Sequence, residues 1–211
     1  MLGAGYSPYA RPMSGVVIIP VKSFALGKQR LSGVLEPGAR ARLGRLLAGH
    51  AAASVSAAGR RPHIVTSDSD VADWVADSGY ELLDDPGEGL SAAARAAARW
   101  ATDLSEPWLV IHSDLPWLTA EDVTSLIRPL EAGRPVIAPS ADGGTSAIGS
   151  RGDFEFRFGP ASFHRHLVQL GDALIVARPG LLLDVDAPAD LRAAAESDRG
   201  AWLHESLGPH V

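Results

Sequence analysis

Short apolar runs that alternate with longer helical segments are the feature that most restricts how this chain can fold. Runs such as GVVIIPV at 15–21 and PWLVIHS at 107–113 are rich in β-branched residues and too short for buried helices, which predicts central strands. Alanine-rich segments such as LSAAARAAARWATD at 90–103 favour helices of ordinary length. Strands that alternate with helices predict an α/β fold: a mostly parallel, doubly wound sheet with helices on both faces.

The predicted elements follow one another in a regular order. Pro37 near the start and Gly59 at the end mark the first long helix, and Thr119 with Asp122 fits a capping box before another. Residues 22–32 are expected to form a loop or an irregular helix. The predicted strands are 15–21, 62–67, 80–85, 107–113, 135–140, 145–150, 173–177 and 181–186, and the predicted helices are 36–59, 70–79, 90–103, 119–133, 159–171 and 187–200.

The chain length and the absence of a linker predict a single domain. The chain has 211 residues, enough to bury one substantial α/β core. Residues 1–14 are rich in Gly, Pro and Ser and are expected to be a flexible N-terminal segment. We therefore expect the folded domain over 15–198 and a C-terminal tail over 199–211.

Composition excludes several kinds of site and partner. There is no Cys, so a thiolate metal site, a disulfide and a Cys nucleophile are excluded, and a metal would need Asp, Glu or His, which favours magnesium. The net charge is −6 with scattered charges, which argues against nucleic acid but leaves room for a small anion. No apolar run reaches membrane-spanning length and residues 1–20 lack the core of a signal peptide, so we expect a cytoplasmic protein without membrane contact. Sequence alone does not predict the oligomeric state.

Acidic residues follow two of the apolar runs. Asp114 comes after the strand at 107–113, and ligands of doubly wound sheets lie outside the carboxyl ends of the strands. An Asp in a turn or before a helix is the structural alternative. Asp184 and Asp186 would share one face of an extended segment, where a divalent cation could relieve their repulsion. Asp186 is also expected to cap the helix that begins at Pro188, whereas Asp184 has no such local role.

A basic loop follows the first strand. Lys22, Lys28 and Arg30 lie within nine residues and are suited to holding a polyphosphate, although a solvated surface loop accounts for them equally well. The chain has neither a Walker A sequence nor a G-x-G-x-x-G sequence, so the glycine-based phosphate sites are missing.

Two further segments could bind an anion. SADGGTSAIGS at 140–150 joins a Gly-Gly turn to Thr145 and Ser146, although a plain hairpin is the commoner structure of such a segment. FRFGPASFHRHL at 156–167 places Gly159, Pro160 and Ser162 at a predicted helix start, where N–H groups and the helix dipole favour phosphate and a structural cap is the alternative. His164 and His166 are left outside the site, because a lone His more often packs than binds.

Acidic side chains that could bind a metal ion, together with segments that could bind anions, suit phosphoryl or nucleotidyl transfer. In such reactions the protein mainly positions the reacting groups and neutralises charge. A Ser-His-Asp hydrolase is disfavoured because no G-x-S-x-G sequence occurs.

The motifs IIPVKSFALGKQRLS, SDLPWLTAEDV, GGTSAI, FRFGPASFHRHL and LDVDAPADL, in this order, resemble the 2-phospho-L-lactate guanylyltransferase family of coenzyme F-420 biosynthesis, which includes phosphoenolpyruvate guanylyltransferases. The resemblance covers about residues 16–192. It implies a single-domain, Rossmann-like fold of the nucleotide-diphospho-sugar transferase type. It also implies an enzyme that joins GTP to a small phosphorylated carboxylic acid with Mg²⁺ and releases pyrophosphate.

Residue by residue, the resemblance implies a metal site at Asp114 and Asp184. It places the phosphorylated acid at Ser146, Gly159 and Ser162. The list of residues expected at the nucleotide is Lys22, Lys28, Arg30 and Ser91, and the list expected to be catalytic is Asp114, Asp184, Lys22 and Lys28.

Two positions depart from the family pattern. Ser91 stands where the family usually has Asn, and Ser146 stands where the family's turn continues with Asn, so Ser146 would act through a hydroxyl. Phosphoenolpyruvate is the first choice of acid, followed by 2-phospho-L-lactate and 3-phosphoglycerate. The alternatives are a related nucleotidyltransferase that uses another nucleotide, such as CTP, and a non-catalytic nucleotide-binding relative.

Overall fold

Seven strands form one sheet in residues 15–203, the part of the chain that this computed structural model describes. The strands are β1 (Val16–Pro20), β2 (Pro62–Thr66), β3 (Glu81–Asp84), β4 (Trp108–Ile111), β5 (Val136–Pro139), β6 (Thr145–Ser150) and β7 (Leu174–Ile175). Their order is β3-β2-β1-β4-β6-β5-β7. The sheet is parallel except where β6 runs antiparallel to β4 and β5, which confirms the predicted mostly parallel sheet.

Six of the seven α-helices of the described residues overlap predicted helical intervals, and the seventh, α6, was not predicted. They are α1 (Pro37–Ala57), α2 (Ser69–Ser78), α3 (Leu90–Asp103), α4 (Ala120–Glu131), α5 (Ser162–Leu170), α6 (Pro179–Leu182) and α7 (Pro188–Glu196), with 3₁₀ turns at Gln29–Leu31 and Asp198–Gly200. The predicted capping box is present before α4. Thr119 Oγ1 accepts a hydrogen bond from the Asp122 N–H at 3.2 Å, and Asp122 Oδ2 accepts one from the Thr119 N–H at 3.1 Å.

The sheet is buried on both faces, which is why its central strands are continuous apolar runs. In β1, Val17 and Ile19 pack with α1, α2 and α4 on one face, whereas Val16 and Ile18 pack with the small side chains of α3 on the other. A third cluster, centred on Leu43 and Leu47, joins α1 to α7. The helices on both faces leave the strand ends as the accessible edges of the sheet.

The predicted strand at 181–186 is wrong. Leu181 and Leu182 belong to the one-turn helix α6, and the residues after them form a loop. Tight packing on α4 explains this: a Cβ at Gly180 would lie 1.9 Å from Asp122 Oδ2, so only glycine fits there. The loop is held instead by the Val185 N–H, which donates to the Asp114 carbonyl at 3.1 Å. Asp184 therefore lies on a loop beside Asp114, not at the end of a strand.

The predicted capping role of Asp186 is also wrong. Ala187 is the N-cap residue of α7. Asp190 reaches back from the first turn, and its Oδ2 accepts hydrogen bonds from the N–H groups of Asp186 and Ala187 at 3.1 and 2.6 Å. The side chain of Asp186 is consequently available for contacts with another part of the molecule.

The packed body continues beyond the predicted boundary at residue 198. Trp202 donates its indole N–H to the Pro116 carbonyl at 3.1 Å and stacks on His50, and Leu203 is fully buried. The first residues of the predicted tail are thus part of the core. The predicted N-terminal segment 1–14 lies outside the described residues, as do 204–211. No helix within 15–203 combines the length and the apolarity needed to cross a membrane.

Candidate functional site

A cavity of about 360 Å³ opens at the carboxyl ends of β1 and β4. Its walls come from the loop after β1, from residues 112–114 after β4, from the turn between β5 and β6, and from the segments at 158–162 and 184–186. Parallel strands point their carboxyl ends to the same edge of the sheet, which is where α/β proteins bind ligands. The cavity therefore lies where the sequence predicted it.

One side of the cavity is formed by Lys28, Asp114, Asp184 and Asp186, called the acidic wall below. Lys28 has a left-handed backbone conformation with φ of 53° and extends its side chain across the loop. Its ammonium lies 2.6 Å from Asp114 Oδ2 and 3.2 Å from Asp186 Oδ1. The Lys28 side chain is 11% exposed and the Asp114 side chain 20%, so this pair is poorly screened by solvent.

The charges on the acidic wall do not balance. Burial alone would raise the pKa of Asp114, but the charge and hydrogen bond of Lys28 hold it below its usual value. Burial and the carboxylates of Asp114, Asp142 and Asp186 raise the pKa of Asp184 to about 7. Asp114 Oδ1 is buried and has no hydrogen-bond partner within the described chain. One ammonium thus faces more carboxylates than it can neutralise.

Sequence reasoning missed two titratable residues at the cavity. His112 packs against Phe158 with ring centroids 4.9 Å apart and the rings tilted by 59°, and burial lowers the pKa of His112. Asp142 accepts hydrogen bonds from the Ser140 hydroxyl and, at 2.8 Å, from the Gly144 N–H. A signal for His112 was its place directly after the apolar run of β4, at the carboxyl end of the strand where ligands of such sheets bind.

A second part of the cavity lining contains Thr145 and Ser162. These two residues, together with the buried His166 that contacts Thr145, are called the hydroxyl wall below. Thr145 begins β6 and Ser162 begins α5, and their hydroxyl oxygens lie 3.2 Å apart. His166 Nδ1 lies 3.0 Å from Thr145 Oγ1. All three side chains are almost completely buried, and Thr145 and Ser162 reach the cavity surface.

Most of the predicted site residues meet at this cavity. Asp114, Asp184, Gly159 and Ser162 all line it. The three predicted phosphate-binding cations, Lys22, Lys28 and Arg30, also line it. Lys22 and Arg30 are exposed, so they retain freedom to adjust to a ligand.

The helix start at 159–162 differs in detail from the expectation. The helix begins at Ser162 rather than at Gly159, and the Ser162 N–H donates to the Gly159 carbonyl at 3.0 Å. That N–H is therefore engaged within the turn, and Ser162 faces the cavity through its side chain.

The structure does not bring Ser91 and Ser146 to the cavity wall. Ser91 Oγ accepts a hydrogen bond from the Phe158 N–H at 3.1 Å, so it fixes the segment that forms part of the cavity. Ser146 is 1% exposed, and its hydroxyl donates towards the carbonyls of Ala138 and Pro139, both at 3.3 Å. Ser146 is the extra residue where the register of β5 and β6 shifts, and its hydroxyl is held against β5, whereas Thr145 lines the cavity.

The donor set suits a hard divalent cation that is shared with a ligand. Within 15–203, no group of three or more His, Cys, Asp or Glu side chains is arranged to hold a metal ion. Mg²⁺, however, is commonly held by one or two carboxylates together with substrate phosphates and water. The unpartnered Asp114 oxygen and the raised pKa of Asp184 are the signature of carboxylates that a cation would stabilise.

Comparison with known sequences identifies a family. Residues 15–178 match the family model described as "Guanylyl transferase CofC like". A phosphoenolpyruvate guanylyltransferase from Chloroflexus aggregans is 35% identical, over 88% of this chain and 98% of that protein. A 2-phospho-L-lactate guanylyltransferase from Methanothermobacter thermautotrophicus is 29% identical, over 92% of this chain and 90% of that protein.

Comparison with solved structures supports the fold independently. A protein from Desulfovibrio desulfuricans, described as a nucleotide-diphospho-sugar transferase, superposes with a TM-score of 0.73 at 19% identity, over 92% of this chain and 96% of that chain. This similarity concerns the fold alone, and it confirms the predicted α/β architecture of the nucleotide-diphospho-sugar transferase type.

Proposed function

The chain belongs to the family of CofC-like guanylyl transferases, and from this premise we propose that it transfers the guanylyl group of GTP to a small phosphorylated carboxylic acid in coenzyme F-420 biosynthesis. Phosphoenolpyruvate is the first choice of acid, because several relatives at 32–36% identity are named for it. The next choice, 2-phospho-L-lactate, is named for a relative at 29% identity. The third is 3-phosphoglycerate.

The proposed reaction is a displacement at phosphorus. A phosphate oxygen of the acid attacks the α-phosphorus of GTP and forms a new phosphoanhydride bond. The bond between the α-phosphorus and the oxygen that bridges to the β-phosphorus breaks, and pyrophosphate leaves with that electron pair. Catalysis of such a reaction consists mainly of alignment and charge stabilisation, which a protein supplies with fixed charges.

The acidic wall would hold the magnesium ion. Asp114, through its unpartnered Oδ1, and Asp184 are the proposed ligands. A bound Mg²⁺ would neutralise the charge that builds up on the phosphate oxygens. Asp184 must lose its proton to serve as a ligand, and its pKa of about 7 allows this near neutral pH.

The basic loop would bind the triphosphate. Lys22 and Arg30 are exposed at the cavity and can contact phosphate oxygens through charged hydrogen bonds. Lys28 is already engaged by Asp114 and Asp186, so its role would be to hold the carboxylates in place and to share its charge with the phosphates. Gly159 and the two hydroxyls of the hydroxyl wall, which also line the cavity, would contact the phosphorylated acid.

The observation that carries this proposal is the meeting of three kinds of group at one cavity. Cations for a triphosphate, carboxylates for a metal and hydroxyls for a second anion line the same 360 Å³ space. Two anionic substrates that react with each other need this combination, because their mutual repulsion must be offset in a single site.

Pyrophosphate release from GTP tests the proposal. The purified protein with GTP and Mg²⁺ should release pyrophosphate only when a phosphorylated acid is present, and the mass of the product should equal the acid plus a guanylyl group. The three acids are compared in parallel, and CTP replaces GTP as the nucleotide control. Release with CTP alone would assign the chain to another nucleotide, and silence with every combination would refute catalysis by this site.

A further inference from the structure

His166 makes two hydrogen bonds that fix its protonation pattern. The ring is fully buried on α5, with 0% exposure. On one side, the Arg157 N–H donates to Nε2 at 2.9 Å. On the other, Nδ1 lies 3.0 Å from Thr145 Oγ1. A backbone N–H can only donate, so Nε2 must be the acceptor and carry no hydrogen.

A neutral ring then carries its hydrogen on Nδ1, which donates to Thr145 Oγ1. Burial, followed by the charges of Arg165 and His112, lowers the pKa of His166 to about 4, so the ring is neutral under ordinary conditions. The hydrogen bond between His166 and Thr145 therefore has a fixed direction, from the ring to the hydroxyl oxygen.

The hydrogens of the hydroxyl wall can now be counted. Its three side chains supply three hydrogens, on His166 Nδ1, Thr145 Oγ1 and Ser162 Oγ. The contact of His166 with Thr145 uses one, and the contact of Thr145 with Ser162 uses a second, whichever hydroxyl donates. One hydroxyl hydrogen remains, and no acceptor for it exists among the described residues.

The remaining hydrogen is at the cavity surface, because both hydroxyl side chains line the cavity. A buried donor without a partner is unfavourable, so this hydrogen favours a ligand that brings an acceptor. Negatively charged oxygen makes the strongest such acceptor. Without His166, the two hydroxyl hydrogens could point towards the cavity or away from it, and the pair would not favour a ligand with an acceptor.

We propose that His166 is a positioning residue that orients the hydroxyl pair of Thr145 and Ser162, so that its one remaining hydrogen is donated to an anionic oxygen of the phosphorylated acid. His166 does not touch the substrate; it acts through Thr145. The proposal rests on the proposed guanylyl transfer, since it assigns the acid to this side of the cavity.

Two substitutions separate the two hydrogen bonds of His166. In His166→Asn, the amide N–H₂ takes the place of Nδ1 and can still donate to Thr145, but Arg157 loses its acceptor. In His166→Gln, the amide oxygen takes the place of Nε2 and can still accept from the Arg157 N–H, but Thr145 loses its donor. His164→Gln on the exposed face of the same helix is the matched control.

Steady-state kinetics with both substrates distinguishes positioning from simple packing. We expect His166→Gln to raise KM for the acid about tenfold, the loss of about one hydrogen bond to a charged group, with KM for GTP changed less than about twofold. His166→Asn should raise KM for the acid by less than about threefold. Equal effects of Gln and Asn, or parallel changes in both KM values, would overturn the proposal.

The ring tautomer gives a test that needs no variant. Nitrogen chemical shifts of the histidine rings in the intact protein should show that the His166 ring is neutral, carries its hydrogen on Nδ1 and changes little between about pH 6 and 8. The signal of the His166 ring is identified by its disappearance in His166→Asn. If that variant does not fold, the signal is assigned through bonds in the wild-type protein. A His166 ring with its hydrogen on Nε2 would overturn the proposal.

Failure of this inference and failure of the proposed function have different signatures. If the wild-type protein releases no pyrophosphate with any acid, the proposed function fails and this proposal fails with it. If the wild-type protein is active and His166→Gln matches His164→Gln in both KM values, only the positioning role fails.

Discussion

The acidic wall and the hydroxyl wall belong to one cavity, but they are stabilised in different ways. On the acidic wall, the Lys28 ammonium meets several carboxylates, and Asp114 Oδ1 remains without a partner. On the hydroxyl wall, His166, Thr145 and Ser162 satisfy one another except for a single hydrogen. The acidic wall therefore has an excess of negative charge, whereas the hydroxyl wall is neutral and nearly complete.

This difference indicates how two anionic substrates could share the site. A wall with excess carboxylate attracts a cation, and the cation in turn attracts a polyphosphate. A neutral wall with a fixed donor discriminates by geometry, because an acceptor must come to one position. Substitutions on the acidic wall should therefore affect turnover and charge balance, and those on the hydroxyl wall should affect recognition of the acid.

Asp114→Asn should have the largest effect. The amide keeps the shape of the side chain but loses the charge that balances Lys28 and the oxygen proposed to hold Mg²⁺. We expect kcat/KM to fall by about a thousandfold or more, as when a fixed charge-stabilising group is removed from an active site. The measurement is pyrophosphate release with saturating Mg²⁺.

Asp198→Asn, in the exposed 3₁₀ turn after α7, makes the same chemical change away from the cavity and should leave the rate unchanged. An Asp114→Asn enzyme with the wild-type rate would remove the metal-binding role of the acidic wall and, with it, the contrast between the two walls.

Lys28→Met should affect stability more than substitution of an exposed ion pair. It leaves Asp114, whose side chain is largely buried, and the half-exposed Asp186 without their shared cation. We expect a loss of about 2 kcal/mol in the free energy of unfolding, below the value for a completely buried pair because Asp114 keeps some exposure. Urea denaturation measures the loss, and Mg²⁺ should stabilise this variant more than the wild type.

Arg61→Gln is the control for Lys28→Met. Arg61 pairs with Glu81 at 2.7 Å, but both side chains are well exposed, so the loss should be under about 1 kcal/mol. Equal losses from the two substitutions would show that the acidic wall is screened by solvent as an ordinary surface is.

The contributions of Asp184 on the acidic wall and His166 on the hydroxyl wall to stability should change in opposite directions with pH. The pKa of Asp184 is raised from 3.8 to about 7, so the fold favours its protonated form. Its contribution to stability is complete below the unfolded pKa and is lost as the pH rises through about 7. The pKa of His166 is lowered from 6.5 to about 4, so its contribution is complete above the unfolded pKa and is lost as the pH falls towards about 4.

Thermal denaturation without Mg²⁺ measures both effects. The Tm of Asp184→Asn, relative to that of the wild type, should increase as the pH rises from about 4 to about 7. The reason is that the variant never carries the disfavoured charge. The deficit of His166→Gln should be largest near neutral pH and should shrink towards about pH 4, where the wild type loses the contribution of its neutral ring. Curves parallel to the wild type would contradict the assigned shifts.

The parts of this structure that follow from local pattern were predictable, and those that depend on distant packing were not. The alternation of apolar runs with helical segments, together with the helix-capping residues, predicted the sheet and α1–α5. The rule that ligands bind at the carboxyl ends of parallel strands predicted that Asp114 lies at the cavity. The path of 181–186 depended on how closely Gly180 approaches Asp122, which no local pattern contains. The contacts of Lys28 with Asp114 and of Ser91 with Phe158 likewise join residues far apart in sequence.

Ser146 and Thr145 show the same limit at the scale of one residue. The pairing of β5 with β6 shifts between these residues: Ala138 pairs with Ala147 and Pro139 with Thr145, so Ser146 is an extra residue in β6. No local sequence pattern places such an irregularity. In the structure, Thr145 contacts Ser162 and His166, whereas the Ser146 hydroxyl contacts β5.

Ser146→Ala should therefore have the smallest effect and should mark the edge of the hydroxyl wall. The lost contacts to Ala138 and Pro139 are long, at 3.3 Å, so we expect a loss of about 0.5–1 kcal/mol in the free energy of unfolding. KM for the acid should change less than about twofold, whereas Thr145→Val should raise it about tenfold. If Ser146→Ala raised KM for the acid as much as Thr145→Val, the acid would contact both faces of β6, and recognition could not be assigned to the hydroxyl wall alone.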